Sequence, residues 1–285
     1  MQQIDSLPAL KTQVQAWRKA GQRIAFVPTM GNLHAGHLHL VDVAREHADI
    51  VIASIFVNPT QFGPNEDFDS YPRTLEQDCV QLAEHDVDLV YIPEIETLYP
   101  SNELASKLPA LPETLSSTLC GVSRPAFFQG VANVVDRFFS QVCPDVAIFG
   151  EKDFQQLLVI RWLVATAHPN IEIVGVPTVR ESDGLAMSSR NGYLTESERR
   201  TAAKLYATLR ILAEQLNAGA ADISALEQIG MAALEHAGFT PDYVSIRLSA
   251  DLSMPTASDN MASPPWVILA AAWLGKARLI DNIQS

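Results

Sequence analysis

The sequence lacks the features that mark secreted, membrane-spanning and nucleic-acid-binding proteins. Its three cysteines, Cys79, Cys120 and Cys143, form no Cys-x-x-Cys pair, which argues against a disulfide framework and favours a reducing cytoplasm. No apolar run approaches the roughly 18 residues that span a bilayer, and no basic-then-apolar leader opens the chain, so we expect neither a membrane anchor nor a secretion signal. Only 20 Lys and Arg stand against 33 Asp and Glu, a net charge of −13, which disfavours nucleic acid as a partner.

What the chain does have is enough length and apolar content for a substantial core. Its 285 residues are 47% hydrophobic, which suits one large domain or two unequal ones. Because the net charge is negative, any phosphate site has to be built locally, from helix N-termini and a few cations. Cations meet glycine-rich or serine-rich turns at two places, near Lys152 and near Arg190.

Short apolar runs alternate with helical patterns over the first 180 residues. Continuous β-branched runs separated by helices predict a parallel sheet that is covered on both faces. We therefore expect an α/β, Rossmann-like, doubly wound domain over residues 1–180, with its ligand site at the carboxyl ends of the strands. The predicted strands are 24–27, 50–57, 89–92, 146–149 and 171–176, and the predicted helices are 38–47, 75–85, 131–141 and 154–167.

The pattern changes after residue 180. A long helix is predicted over 195–216, with Thr195 as its N-cap and Glu198 completing a capping box. We expect a smaller C-terminal α+β domain over residues 181–285. Its other predicted elements are a helix at 223–236, strands at 243–248, 266–272 and 278–282, and an exposed loop at 253–265 that is rich in Pro, Ser, Met and Asn.

The most informative motif lies between the first predicted strand and the first predicted helix. Two histidines three positions apart share one face of a helix, and a helix N-terminus offers free N–H groups to anions such as phosphate. Gly31 and Gly36 allow the backbone to approach a ligand closely. The alternatives are half of a zinc site, which needs further ligands, or two solvent-facing side chains. The segment reads Pro28-Thr29-Met30-Gly31-Asn32-Leu33-His34-Ala35-Gly36-His37.

A second motif, residues 149–156, again lies between an apolar strand and a helix. Lys152 can contact a phosphate there as a point charge. Asp153 occupies the position of an N-cap, and Gln156 lies one turn further on, towards the same end. The alternative is an ordinary charged surface turn.

A third motif, residues 176–191, combines a predicted mobile turn with hydrogen-bond donors. Ser182, Asp183 and Gly184 indicate the turn. Ser188, Ser189 and Arg190 place two hydroxyls and a guanidinium in a row, which suits a polyphosphate. The alternative is an ordinary polar loop.

A fourth motif, residues 56–64, follows the second predicted strand. Its amides, Asn58 and Gln61, are flanked by aromatic residues and prolines. Amides can hydrogen-bond both the hydroxyl and the carboxylate of a small polar substrate. The alternative is a structural turn capped by asparagine.

Taken in order, these motifs resemble those of enzymes that act on nucleotides. The His34–His37 run is similar to the His-x-Gly-His signature of the HIGH-motif nucleotidyl transferases, which attack the α-phosphate of ATP, and residues 187–190 to their Met-Ser-x-Arg/Lys loop. Over nearly the whole chain the sequence resembles the pantothenate synthetase (pantoate–β-alanine ligase) family. The segments that carry this resemblance are 30–37, 56–62, 69–74, 149–156, 184–191 and 278–282.

The resemblance implies that ATP and pantoate give pantoyl adenylate and pyrophosphate, and that β-alanine then displaces AMP. Fixed positive donors would stabilise the phosphoryl charge. The resemblance implies catalytic roles for His34, His37 and Lys152, a polyphosphate clamp of Lys152, Ser188, Ser189 and Arg190, and substrate contacts from Gln61 and Gln156 with Asn58 and Tyr71 nearby. The implied ATP contacts are Met30, Gly31, Asn32, Leu33, His34, Ala35, Gly36, His37, Gly150, Glu151, Lys152, Asp153, Val179, Met187, Ser188, Ser189 and Arg190.

The resemblance also implies Mg²⁺ with ATP and a homodimer. Asp78 is a candidate metal partner, with an exposed helix carboxylate as the alternative. One segment departs from the family pattern, because Phe127, Asn133 and Arg137 stand where the family has His, Thr and Lys. Two rival functions stay open: an adenylyltransferase that acts on a phosphate, and a catalytically silent ATP-binding regulator. The amides Gln61 and Gln156 favour a small acid as substrate.

Overall fold

The structure is a computed structural model that describes residues 1–63, 66, 68–100, 108–219, 222–256 and 265–285. Pro64 of the fourth motif and most of the loop predicted at 253–265 lie outside these ranges. Within them, no helix combines the length and the apolar character needed to cross a membrane.

Six parallel strands form the larger sheet, in the order β1-β4-β3-β2-β5-β6. After β2 the chain adds β3 and β4 on one side, and it later adds β5 and β6 on the other. The order therefore reverses between β2 and β5, which is where ligands bind in open α/β sheets. The strands are β1 (Gln2–Ile4), β2 (Ile24–Thr29), β3 (Ile50–Ile55), β4 (Leu89–Tyr91), β5 (Val146–Gly150) and β6 (Glu172–Val176).

Helices cover both faces of this sheet. Successive side chains of a strand point to opposite faces, so Phe26 packs against one layer and Val27 against the other. Phe26 meets Phe138 with ring centroids 5.5 Å apart. The helices of this part are α1 (Leu7–Lys19), α2 (Ala35–His47), α3 (Leu75–Glu84), α4 (Ile95–Leu98), α5 (Glu113–Ser116), α6 (Cys120–Ser123), α7 (Phe127–Val142) and α8 (Phe154–Ala167).

All five predicted strands and four predicted helices of this domain are present, with small differences at their ends. No prediction covered β1, α1 or the four-residue helices α4, α5 and α6. β1 has three residues, of which Gln2 and Gln3 are polar and exposed, so its pattern carries no strand signal. The doubly wound α/β fold that was expected is confirmed.

The C-terminal part has an antiparallel sheet of three strands in the order β7-β8-β9. The capping box of Thr195 and Glu198 is present. The prediction of a single helix over 195–216 is wrong in one respect, because the helix is interrupted at Ala203 and two helices form. The elements are α9 (Glu196–Ala202), α10 (Lys204–Asn217), α11 (Ile223–Ala237), β7 (Thr240–Leu248), β8 (Trp266–Leu274) and β9 (Ala277–Gln284).

The two parts share a buried apolar cluster. It joins Phe128 and Phe154 of the larger part to Leu252, Val267 and Leu269 of the smaller one. Such burial stabilises their contact by about 25 cal/mol per Å² of apolar surface. A domain boundary near residue 180 stays a prediction.

Candidate active site

A cleft of about 1100 Å³ opens at the switch point between β2 and β5, and the C-terminal sheet forms its other side. Residues from all four motifs border it. Those predicted for the site that do so are Met30, His37, Asn58, Gln61, Tyr71, Lys152, Asp153, Gln156, Ser188, Ser189 and Arg190. The geometry thus brings together side chains from motifs that are far apart in the sequence.

The histidine turn, residues 30–37, connects β2 to α2. His34 is the N-cap of α2, and its Nδ1 accepts from the Gly36 N–H at 3.1 Å. The His37 Nδ1 accepts from the His34 N–H at 3.4 Å. Because both Nδ1 atoms are acceptors, each neutral ring carries its proton on Nε2. A Cβ at Gly36 would lie 2.9 Å from the His34 Cε1, so a larger residue would displace that ring.

The two imidazoles are neutral at neutral pH. Burial and the neighbouring Lys152 lower the pKa of His34 to about 4. Burial, His34 and Lys152 lower the pKa of His37 to about 3. The ring centroids are 4.0 Å apart, so a charge on one ring opposes a charge on the other. The expectation of positive donors therefore fails for the two histidines, which offer neutral N–H groups.

Asp78 holds the histidine turn from behind. One carboxylate oxygen accepts from the Leu33 N–H at 2.8 Å, and the other from the Asn32 N–H at 2.9 Å and the Thr74 hydroxyl at 3.1 Å. The side chain is buried. The alternative reading of Asp78 as an exposed carboxylate is wrong, and its hydrogen bonds assign it to the turn, so the metal role has no support here.

The lysine turn, residues 151–153, follows β5 and leads into α8. Lys152 borders the cleft and acts electrostatically on both histidines. Asp153 stands at the predicted N-cap position, but its side chain makes no capping hydrogen bond and is exposed. The two strands that flank the switch point therefore deliver an imidazole pair and an ammonium to one place.

Two adjacent glutamines on α8 have different environments. Gln155 is buried, and its amide bonds the Leu115 and Thr118 carbonyls and the Cys120 N–H. Gln156 borders the cleft, as predicted for a substrate contact. The geometry thus separates a structural amide from one that faces the site.

The predicted substrate residue Asn58 has a supporting position. It is buried, and its Oδ1 accepts from the Tyr99 hydroxyl at 2.9 Å and from Thr60. Its Nδ2 donates to the Gly130 carbonyl at 3.3 Å and to the Gln61 Oε1 at 3.2 Å. Both polar atoms are thus engaged with protein, so Asn58 orients Gln61, and a direct contact of Asn58 with the substrate stays a prediction.

Aromatic rings close one wall of the cleft. Tyr71 is buried and meets Phe62 edge-on, with centroids 5.8 Å apart. Phe127, the departure from the family's histidine, lies under the Arg124 guanidinium at 3.6 Å. Arg124 also forms an ion pair with Glu66 at 2.5 Å. The Arg124 guanidinium is therefore already engaged within this wall, by its ion pair with Glu66 and by its contact with the Phe127 ring.

The other two departures lie away from the cleft. Arg137 donates to the Leu98 carbonyl at 3.0 Å and stacks on the Tyr99 ring, and Asn133 is buried within α7. Neither residue borders the cleft. Of the three departures, only Phe127 can alter the shape of the site directly.

The serine loop, residues 182–191, reaches the histidine turn from the other side. The Ser189 hydroxyl donates to the Asn32 carbonyl at 3.1 Å, and the Ser188 hydroxyl accepts from the Arg190 N–H at 3.3 Å. The Val179 carbonyl accepts from the Met187 N–H at 3.0 Å.

The predicted residues that do not border the main cleft are Gly31, Asn32, Leu33, His34, Ala35, Gly36, Gly150, Glu151, Val179 and Met187.

Sequence reasoning missed the residues that the C-terminal sheet contributes. Arg278 borders the cleft, donates to Asp242 at 2.6 Å and lies 3.5 Å from the Cys120 Sγ. Asn282 contacts the lysine turn through two hydrogen bonds. Their only sequence signal was the resemblance of segment 278–282 to a family segment.

Within the part of the chain that the structure describes, no group of three or more His, Cys, Asp or Glu side chains could hold a metal ion. The zinc alternative for the two histidines therefore gains no further ligands. The arrangement that is present suits anions, because the imidazole of His37, an ammonium and a guanidinium border one cleft.

Comparison with known proteins gives one consistent result. The sequence model of a family described as pantoate-beta-alanine ligase matches residues 2–284. Curated relatives named pantothenate synthetase are 52% identical in Methylococcus capsulatus, over 96% of this chain and 95% of the relative, and 52% identical in Chromohalobacter salexigens, over 98% and 97%.

Solved structures agree. The pantothenate synthetase of Thermus thermophilus has a TM-score of 0.90 and 41% identity, over 99% of each chain. The pantoate-beta-alanine ligase of Francisella tularensis, solved with beta-gamma ATP and beta-alanine, has a TM-score of 0.79 and 34% identity, over 99% of this chain and 97% of that one.

Proposed function

The chain belongs to the pantoate-beta-alanine ligase family and is therefore a ligase that condenses pantoate with β-alanine, using ATP, and we propose that it does so in two half-reactions. In the first, a carboxylate oxygen of (R)-pantoate attacks the α-phosphorus of ATP, and pyrophosphate leaves. In the second, the β-alanine amine attacks the acyl carbon of pantoyl adenylate. AMP leaves, the amine loses a proton, and pantothenate is formed.

The first half-reaction builds negative charge on the α-phosphoryl oxygens and on the leaving pyrophosphate. Donors that are already oriented stabilise such charge without reorganising. We assign His37 and His34 to this task as neutral donors, with their Nε2 protons fixed by the bonds at Nδ1. Lys152 supplies positive charge beside them, and Ser188, Ser189 and Arg190 complete the clamp.

The pantoate site is assigned to the wall between β3 and α8. Gln61 and Gln156 bind the hydroxyl and carboxylate of pantoate, and the buried Asn58 orients Gln61 at 3.2 Å. The ring of Tyr71 lines the same wall. The adenine side is assigned to Val179 and the backbone of Gly150, with the histidine turn in contact with the phosphates.

One observation carries the assignment. The histidine turn and the lysine turn follow the two strands, β2 and β5, between which the sheet order reverses, and His37 and Lys152 border the same cleft. A nucleotide at this switch point meets a helix N-terminus, two N–H donors and an ammonium together.

Mg²⁺ is proposed to enter with the phosphates of ATP, since Mg²⁺ is commonly held by substrate phosphates and few protein ligands. Asp78 does not fit a metal, because three donors already occupy its oxygens. The family resemblance supports a homodimer and a cytoplasmic location, and we propose both. We also propose that residues 181–285 act as a lid whose serine loop closes over ATP.

The test is an assay of AMP and pyrophosphate formation by the purified protein. We expect one pyrophosphate per enzyme to form from ATP and pantoate alone, whereas AMP release and repeated turnover should also require β-alanine, with one pantothenate for each AMP. An adenylyltransferase would instead need a phosphate acceptor, and a silent regulator would bind ATP without turnover. Either of these results would overturn the proposal.

A further inference from the structure

Asn282, on β9, reaches from the C-terminal sheet to the lysine turn. Its Nδ2 donates to two consecutive carbonyl oxygens, that of Glu151 at 2.8 Å and that of Lys152 at 2.9 Å. The side chain is 4% exposed, so water competes little for these bonds. Both hydrogens of the amide are thus committed to the backbone that carries the ammonium.

The backbone of Asn282 is fixed in turn by an ion pair whose carboxylate, that of Asp281, is buried. Arg180 bonds both carboxylate oxygens of Asp281, at 2.7 and 2.9 Å. The other Asp281 contact is the Asn282 N–H, at 2.8 Å, and Arg180 also donates to the Asn282 carbonyl at 3.3 Å. Two-point pairs of this kind fix orientation as well as distance.

The same arginine holds the base of the serine loop. Its Nη1 donates to the Gly184 carbonyl at 3.1 Å, and its backbone bridges to Ala186. The Arg180 guanidinium lies 3.4 Å from the centroid of the Tyr206 ring. The Arg180–Asp281 pair is therefore connected to both turns that carry a cation, to the lysine turn through Asn282 and to the serine loop directly.

We propose that Asn282, held by the Arg180–Asp281 pair, is a positioning residue that sets the Lys152 ammonium at the α-phosphate. This inference rests on the proposed function. Asn282 acts through the backbone of the lysine turn, because its two hydrogen bonds end on carbonyl oxygens and not on the ammonium. A shift of about 1 Å in such a group can lower a rate by about 10²-fold, so a partial loss of positioning has a measurable effect.

The experiment compares Asn282→Ala with the wild type in single turnovers, with enzyme in excess so that slow rates remain measurable. Adenylate formation from ATP and pantoate should fall by about tenfold. The second half-reaction, started from preformed pantoyl adenylate and β-alanine, should change by less than about twofold. Asn282→Leu, of similar size and without the donors or a new charge, carries the same test if the alanine variant does not fold.

A double-mutant cycle separates positioning from direct contact. If Asn282 acts through Lys152, then Asn282→Ala should change adenylate formation by less than about twofold in a Lys152→Ala background. Independent, multiplying losses would mean that Asn282 contacts the nucleotide itself or holds the fold in general, and would overturn the inference.

Gln284→Ala is the matched control. Gln284 also donates from β9 to the lysine turn, but to the Glu151 side chain, at 2.9 Å, near the surface. Its loss should leave adenylate formation within about twofold of wild type. A wild type that forms no adenylate from pantoate would reject the proposed function, whereas an active wild type with a multiplying cycle would reject only the inference.

Discussion

The histidine turn and the lysine turn border the same cleft but are held by different means. Local hydrogen bonds hold the histidine turn. His34 and His37 cap their own helix, and Asp78 accepts hydrogen bonds from the backbone that precedes this helix. The lysine turn makes no side-chain cap of its own. It is held instead by Asn282, 130 positions later in the chain.

This difference explains what the sequence could reveal. When hydrogen bonds join residues i and i+3, the spacing of those residues in the sequence indicates the bonds. The position of 30–37 at a helix N-terminus was therefore predictable. The contact of Asn282 depends on how two sheets meet, and no local spacing encodes that. The resemblance marked segment 278–282 without giving it a task.

The errors have the same origin. Asp78 has a side chain typical of ligand contacts, but its burial and its hydrogen bonds to protein decide its role. The charge of the histidines depends on water exclusion and on Lys152, which spacing does not show. By contrast, the strands were predictable because their residues are apolar on both faces.

The largest effect is expected from substitutions in the histidine turn. His37→Ala removes an oriented donor and should lower adenylate formation by about 10²–10³-fold, the scale for one oxyanion-type donor. His34→Ala should act similarly, with a larger effect on ATP binding because its ring also caps the helix. Single-turnover rates and ATP titrations measure both. His39→Ala, on the same helix but outside the histidine turn, is the control, and rates within twofold for both site variants would refute the assignment.

The next effect separates the lysine turn from the rest. Lys152→Ala should slow adenylate formation by about 10²-fold through lost charge stabilisation, while preformed pantoyl adenylate should still react with β-alanine at a substantial rate. Arg161→Ala removes an exposed cation from the helix that follows this turn and should change neither step. Equal impairment of both half-reactions by Lys152→Ala would indicate a structural role instead.

A smaller effect concerns the serine loop. If it closes over the site, Arg190→Ala should slow adenylate formation and let water reach the intermediate. More AMP than pantothenate should then appear, by about twofold or more. Product ratios measure this, with Arg200→Ala, an exposed residue of α9, as control. A one-to-one ratio at the normal rate would argue against the lid.

The smallest effect is on stability. The folded chain keeps His37 neutral, with a pKa of about 3, whereas the unfolded chain protonates it below about pH 6.5. Protonation therefore favours unfolding, so stability is highest above pH 6.5 and falls as the pH is lowered. Between pH 7 and 5 the wild type should lose about 1–2 kcal/mol more than His37→Gln. Urea unfolding measures this, and parallel pH profiles would show that the ring is not desolvated.

The most direct test of the central claim is exchange of labelled pyrophosphate into ATP in the absence of β-alanine. Two turns that together stabilise attack on the α-phosphate should support exchange that requires pantoate alone. Exchange should fall by about 10²-fold or more in His37→Ala and in Lys152→Ala. Exchange that needs β-alanine, or that survives both substitutions, would contradict the account.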